Sequence, residues 1–375
     1  VRPYRINSTN YKNQNGFMIE AVQRELLKRG YNMEQINRGG MKVTTTFNPR
    51  LMVAAYKAVT KTRPVGTPRK IQSGLAAVQP GSGEVLAFYG GRGYQHRQFD
   101  NAFQARPQAG SAFKPYVLAT ALSQGVSLRS MVDGSSPKTF AGGYKVSNDG
   151  HQSYGIINLA TATQKSVNTA FVQLGLEVGL SNVAKTAGSV GIPESQLKDH
   201  TNMAGLSLGI ASVTPVEQAG GFASFASGGQ FAQPHVIKSI TNASGDPVKD
   251  PDGGTFAAKT KPKRVFEQPV VNDLTSALQR VVKYGTATKA QLNMGRPAAG
   301  KTGTTDKGAA VWFVGYTPQL AASATMFRDD NKPITGIPGY SEVYGGQLPA
   351  ATWKAFMDEA LKNQPVKQFP PPSNV

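Results

Sequence analysis

Short apolar runs that read as strands crowd both ends of the body of this chain, and helical stretches fill the middle. That order constrains the fold most. Leu75-Ala-Ala-Val78 and Val85-Leu-Ala-Phe88 flank Pro80-Gly-Ser-Gly83 and predict a hairpin over 73–90. Three further strands are expected at Ala298 to Thr305, Ala310 to Tyr316 and Leu320 to Phe327. Between them the spacing predicts helices over 111–124 (stopped by Gly125), 156–167, 169–178, 214–226 and 272–284, with a last one over 352–361. Strands brought together from both ends with helices between them imply an α/β (α+β) fold, an antiparallel sheet packed by helices.

Ahead of the hairpin, Phe17, Ile19, Val22, Leu26 and Leu27 recur at helical spacing, with Gly30 at the expected C-cap. Met41 to Phe47 reads as a strand, and Asn48-Pro49 as an N-cap followed by proline at the first helical position. Arg63 to Pro68 reads as a linker. We expect three regions: a basic interdomain linker region over 1–70, the main domain over 71–362, and a loose Pro-rich tail over 363–375. Residues 1–70 hold 14 Lys/Arg and 3 Asp/Glu, a net of +11 in a chain whose total is +19. Excess positive charge suggests a polyanion partner, but no helix-turn-helix, zinc finger or RNP-like aromatic pattern accompanies it, so no nucleic acid is expected. The chain has no cysteine, which excludes disulfide scaffolds, cysteine-zinc sites, iron–sulfur clusters and thiol catalysis. No metal site is expected from four scattered histidines. No stretch is apolar enough to span a bilayer and no signal peptide stands at the start. A chain that begins at Val1 is expected to be a piece of a longer protein.

Three short motifs follow in order: Ser111-Ala-Phe-Lys114, Ser166-Val-Asn168 and Lys301-Thr-Gly303. Ser111 opens an apolar helix, where a serine is ordinarily a cap. Lys114 lies one turn along the same face, so its amine can approach the Ser111 hydroxyl. A serine hydroxyl is a poor nucleophile until a base takes its proton, and a desolvated lysine beside another cation can be that base. The same spacing at Ser135/Lys138 contains Pro137 in a Gly/Ser-rich loop, and at Ser195/Lys198 ordinary capping explains it. Ser166 and Asn168 sit where two helical stretches meet. There Ser166 can relay a proton, Asn168 can hold a substrate amide and Lys165 can add charge; a second Ser-x-Asn stands at Ser8/Asn10. Lys301, Thr302, Gly303 and Thr304 lie on an edge-like strand able to pair with an extended peptide. Lys301 and the two threonine hydroxyls there can bind a carboxylate.

Together the three motifs resemble those of the penicillin-recognising serine enzymes. Gln108 to Pro115, Ser166 to Val172, Val213 to Glu217, Ala299 to Thr305 and Trp312 to Pro318 are similar to class A penicillin-binding proteins. Gly74 to Gly91 resembles the first hairpin of their transpeptidase domain, and the basic arm resembles the linker that follows their glycosyltransferase domain. The resemblance covers roughly 17–362 and points to actinobacterial, mycobacterial members. It implies a sheet of about five antiparallel strands flanked by helices, no cofactor, and a D,D-transpeptidase that cross-links peptidoglycan stem peptides and is inhibited by β-lactams. It further implies Ser111 as nucleophile, Lys114 as base and Ser166 as proton relay. Asn168, Lys301, Thr302, Gly303 and Thr304 would bind substrate, with the backbone N–H groups of Ser111 and Thr304 as oxyanion hole. The implied partners are a D-Ala-D-Ala donor, an amine acceptor, β-lactams, and the parent's glycosyltransferase domain and membrane anchor, on the extracytoplasmic face of the bacterial plasma membrane. One departure stands out: many relatives carry an acid shortly before Trp312, where this chain has Ala309-Ala310-Val311. Asp329 to Tyr340 reads as a local loop elaboration.

The nearest rivals are a serine β-lactamase and a D,D-carboxypeptidase, both hydrolases of related chemistry. A non-catalytic β-lactam sensor or cell-wall-binding module, and a polyanion-binding protein, are rivals of another class. A β-lactamase needs a group that activates water, and Glu194 is the local candidate, read as helix-start decoration. The basic arm is expected to sit against anionic lipid or wall polymer. Charge reversal within 1–70 should therefore weaken sedimentation with anionic vesicles and with purified wall; unchanged binding to both would remove that role.

Overall fold

The computed structural model describes residues 12–38, 40–254, 260–305 and 307–373. The N-terminal part builds α1 (Asn13–Lys28), α2 (Met33–Arg38), β1 (Lys42–Thr45) and α3 (Pro49–Thr62). The Asn48 side chain accepts from the Arg50 and Leu51 N–H groups, so the Asn-Pro start of α3 is as expected. The hairpin is β2 (Ile71–Val78) and β3 (Val85–Tyr89), followed by α4 (Lys114–Ser123). Next come β4 (Met131–Asp133), β5 (Lys138–Phe140), β6 (Tyr144–Val146) and β7 (Ile156–Asn158), paired as β4 with β7 and β5 with β6. Then follow α5 (Leu159–Lys165), α6 (Asn168–Val178), α7 (Leu180–Ser189), α8 (Pro215–Ala226), β8 (Gln230–Phe231), β9 (Ile237–Thr241), β10 (Lys263–Arg264) and α9 (Gln268–Tyr284). The chain closes with β11 (Ala299–Thr304), β12 (Ala310–Thr317), β13 (Leu320–Arg328) and α10 (Leu348–Ala360).

Strands from both ends meet in one five-stranded antiparallel sheet of order β11-β12-β13-β2-β3. The long pairing of β13 with β2, Ala321 opposite Val78 through Arg328 opposite Ile71, joins the two halves. All of β12 and β13 is buried, because helices cover both faces. On one face Trp353 of α10 packs edge-on against Phe313 at 5.0 Å and donates to the Gly315 and Ala322 carbonyls. On the other, Ser323 donates to the Pro215 carbonyl at the start of α8, and Tyr316 bonds Thr275 of α9. Thr214 and Glu217 form a reciprocal capping box that fixes where α8 begins.

Several boundaries differ from expectation. Residues 156–158 are strand rather than helix: Ile156 and Ile157 are β-branched, and Asn158 caps α5 from just outside it. The helices expected from 272 and 352 begin four residues earlier, each with proline in its first turn. The described part of the tail is docked rather than loose. Arg296 donates to the carbonyls of Leu361, Gln364 and Pro365, Phe369 lies edge-on to Tyr316 at 5.6 Å, and the Ser373 N–H reaches Asp273. Prolines cannot donate along a ladder, but the carbonyls around them remain free to accept.

The N-terminal elements are packed into the body. β1 pairs with β9, α3 lies against α10 and β3, and the Phe17 ring is fully buried over Gly90. Residues 1–11 of the basic arm lie outside the described residues. Truncating a large buried ring costs about 3–5 kcal/mol. Phe17→Ala is thus expected to lower the urea midpoint of the whole unfolding transition; a midpoint equal to that of the native chain would mean that α1 is an independent appendage.

Candidate active site

Ser111 lies in a single 3-10 turn, Gly110–Phe113, that runs directly into α4. The residue heading the turn is Ala109 and the residue heading α4 is Phe113, so Ser111 is not the cap that its position in sequence suggested. Its turn is pressed onto β11. Gly110 has φ +54°, and a Cβ there would meet the Thr304 carbonyl at 2.7 Å. A Cβ at Gly303 would meet the Ala109 carbonyl at 2.6 Å. Glycine at both positions lets the two backbones touch, which is what brings Ser111 beside Thr304.

Behind Ser111 two lysines are buried without exposure. Lys114 Nζ donates to the Ser166 carbonyl at 2.7 Å, to Asn168 Oδ1 at 2.7 Å and to Ser166 Oγ at 3.1 Å. Lys301 Nζ donates to the same Ser166 Oγ at 2.8 Å and to the Thr302 carbonyl at 3.0 Å. Ser166 therefore bridges the first and third motifs. It sits between α5 and α6 in the left-handed region, φ +56° and ψ +42°. That conformation costs a serine on the order of 1 kcal/mol or more. It ends α5 and turns both carbonyl and hydroxyl toward the amines. Burial, and then the Lys114 charge, hold Lys301 well below the usual lysine value; Asp149 opposes them.

A cavity of about 670 Å³ opens in front, lined by Ser111, Asn168 and Thr304. The Asn168 Nδ2 group donates to the Ser147 carbonyl at 3.0 Å and to Asp149 Oδ1 at 3.3 Å, and Thr304 Oγ1 accepts from the Gly345 N–H at 3.3 Å. β11 is the edge of the sheet, as expected. Lys301 and Gly303 face the Ser166 side, whereas Thr302 faces the other and bonds the Thr286 hydroxyl at 2.7 Å. Thr302 Oγ1 nonetheless lies 3.4 Å from Lys301 Nζ, and Lys301, Thr302 and Gly303 all stand behind the residues that line the cavity. Lys165 is exposed. Lys138 of the second Ser-x-x-Lys pairs with Asp133 at 3.0 Å, Glu194 and Ser195 lie on an exposed 3-10 turn, and Ser8/Asn10 lies outside the described residues.

Two parts of the site had no sequence signal. Asp149 follows Asn148 in what reads as an ordinary polar turn. The loop after β13 supplies a cavity wall through Pro333, Ile334, Thr335, Ser341, Glu342, Val343 and Tyr344. Ile334, Ile337 and Val343 anchor that loop in a small apolar cluster with Ile71, Val311 and Met326. Asp329 and Asp330 tie its start to Arg97 and Arg328.

A buried cation is costly even when hydrogen-bonded, and an apolar side chain of similar size is often more stable in its place. Lys301 binds its proton less tightly folded than unfolded. Its cost is therefore fully present below the lowered value and is relieved as pH rises from there to about 10.5, so native stability rises across that window. Lys301→Met is expected to match or exceed the native melting temperature near neutral pH, with an advantage that shrinks as pH rises. A clear loss of stability in the variant would contradict this.

Residues 74–337 match the family model for the penicillin binding protein transpeptidase domain. Penicillin-binding protein 1A of Mycobacterium tuberculosis is 33% identical over 97% of this chain and 45% of that protein. The protein of the same name from Mycolicibacterium smegmatis is 31% identical over 96% of this chain and 47% of its own length. The chain thus spans about half the length of these curated relatives. The solved structure of PonA1 from Mycobacterium tuberculosis in complex with penicillin V superposes with a TM-score of 0.86 at 30% identity, covering 97% of both chains. A penicillin-binding protein 1A structure from Haemophilus influenzae, at 20% identity and a TM-score of 0.81, shares the fold. With the family model covering most of the sheet and all three motifs, this chain belongs to the penicillin-binding protein transpeptidase family.

Proposed function

We propose that this chain is a serine D,D-transpeptidase domain that cross-links peptidoglycan stem peptides and is acylated by β-lactams. The observation that carries the reading is Ser166 Oγ, shared by two buried lysines directly behind a cavity that Ser111 lines. Ser111 Oγ attacks the carbonyl carbon of the penultimate D-Ala while Lys114 takes its proton. The backbone N–H groups of Ser111 and Thr304 receive the developing oxyanion, with Ser111 placed beside Thr304 by the glycine contacts. As the C–N bond breaks, Ser166 passes a proton to the leaving D-Ala nitrogen and is reprotonated from the lysines. Lys301, Thr302 and Thr304 bind the terminal carboxylate, with Lys301 Nζ held by the Thr302 carbonyl at 3.0 Å and within 3.4 Å of its hydroxyl. Asn168 orients the donor amide. The amine of a second stem peptide then attacks the ester, loses its proton to the same relay, and frees Ser111. A β-lactam follows the first half, but its leaving nitrogen stays tethered by the opened ring and blocks the acceptor.

A D,D-carboxypeptidase differs only in using water as the acceptor. A β-lactamase reading is weakened because its candidate base, Glu194, is exposed and does not line the cavity. The remaining half of the relatives' length fits a glycosyltransferase domain and membrane anchor, which would place this domain on the extracytoplasmic face of the membrane. Among the described residues, no helix is long and apolar enough to cross a membrane.

Intact mass after penicillin is expected to rise by one adduct per chain and to persist over hours. Ser111→Ala should abolish the adduct. Labelling that survives in Ser111→Ala would remove the site assignment, and rapid loss of the adduct with regenerated protein would make the chain a β-lactamase.

A further inference from the structure

The end of β11 at Gly303 and Thr304 is held on both faces by close backbone contacts. On the Gly303 face stands the Ser111 turn, where a Cβ at Gly303 would meet the Ala109 carbonyl at 2.6 Å and the Ala112 side chain at 2.9 Å. On the face that carries Thr302 and Thr304, the loop after β13 presses buried Gly345 against the ladder. A Cβ at Gly345 would overlap the Trp312 carbonyl and meet the Gly303 carbonyl and nitrogen at 2.6 and 2.9 Å. Gly303 and Trp312 stand opposite each other in the β11–β12 pairing, so Gly345 lies directly over that pair. Gly345 is not in the left-handed region, so its lack of a side chain serves close approach rather than a backbone angle.

That approach makes one hydrogen bond possible. The Gly345 N–H donates to Thr304 Oγ1 at 3.3 Å, while its carbonyl accepts from the Ala350 N–H at 3.1 Å in the first turn of α10. Val343 and Leu348, both buried in the apolar cluster under the loop, fix the segment on either side. A threonine hydroxyl has one proton to give. With the Gly345 N–H on its oxygen, the Thr304 proton is turned away from the loop and toward the cavity that Thr304 lines. A carboxylate only accepts, so a hydroxyl oriented in this way is a ready donor to it.

We propose that Gly345 is a positioning residue for carboxylate recognition: its N–H orients the Thr304 hydroxyl as a donor to the terminal carboxylate of a stem peptide or a β-lactam. This rests on the serine acylation reading above and deepens it. Gly345 acts through Thr304 and not on the reacting atoms.

The test is the second-order rate of labelling by a fluorescent penicillin, measured on the full chain, Gly345→Ala, Thr304→Val, Thr304→Ser and the double variant Gly345→Ala with Thr304→Val. Gly345→Ala must lift the loop from β11 and break the N–H contact, and it is expected to label about tenfold more slowly. Thr304→Val keeps the shape and removes the hydroxyl, so it should slow labelling at least as much, whereas Thr304→Ser should stay near the native rate. The double variant should be no slower than Thr304→Val, because both changes remove the same oriented hydroxyl. Losses that multiply in the double variant would overturn the proposal, as would native labelling by Gly345→Ala. A second readout leaves Gly345 untouched. Hydrogen exchange over residues 343–347, followed by mass spectrometry, should quicken in Thr304→Val and stay native in Thr304→Ser. Native exchange in Thr304→Val would overturn the proposal even if Gly345→Ala failed to fold. Absence of any label on the native chain would instead overturn the acylation reading itself, and this proposal with it.

Discussion

Two lysine amines are held in the dry interior by one serine hydroxyl, and much of the molecule is arranged to make that possible. Burial of an amine costs stability rather than adding to it. Each is worth its cost only because Ser166 Oγ at 3.1 and 2.8 Å joins them into a path for a proton. The path needs three pieces of chain that are 52 and 135 residues apart in sequence from Ser166 to its partners. A helix start, a helix junction and a strand edge must therefore be brought to one point with errors of a fraction of an ångström.

The fold achieves this through rigid parts. β11 is fixed by its full pairing with β12, Ala299 opposite Tyr316 through Thr304 opposite Val311, which places Lys301 on the inner face. The Ser111 turn is fixed to β11 from outside the ladder. The Ala109 N–H donates to the Ala211 carbonyl, the Gly110 N–H to the Gly209 carbonyl, and Trp312 Nε1 reaches back to the Gln108 carbonyl. Ser166 is fixed by its own strained backbone. The left-handed turn stops α5 and aims the hydroxyl, and the α6 side chain Asn168 closes the set.

Much of this was legible in the sequence, for identifiable reasons. The sheet could be read because strands crowd both ends of the body and because Asn48-Pro49 and Thr214-Pro215 announce their helices through capping chemistry. The three motifs could be read because they stand together in this order, although each alone has an ordinary structural explanation. What failed depends on contacts between distant segments. The tail looks loose until Arg296 is seen to gather its carbonyls. Thr302 reads as a partner of Lys301 and is one, but its hydroxyl also bonds Thr286, a contact that adjacency in sequence does not announce. Asp149 and the wall after β13 carry no local pattern at all, since their roles are defined by what lies across the cavity.

The departure at Ala309-Ala310-Val311 has a physical counterpart in that wall. Val311 is fully buried and packs with Ile334, Ile337 and Val343, so β12 enters the sheet through an apolar seam continuous with the loop. Ala310 is likewise buried, and its backbone is already paired with Thr305, whose N–H and Oγ1 bracket it. A carboxylate at that point would be desolvated beside an apolar seam. Across the site, exposed Asp149 accepts from the Asn168 amide, and its charge favours the protonated form of Lys301. The loop after β13 is thus apolar at its base, where Ile334, Ile337 and Val343 join Val311, and polar where Ser341, Glu342 and Tyr344 meet the cavity.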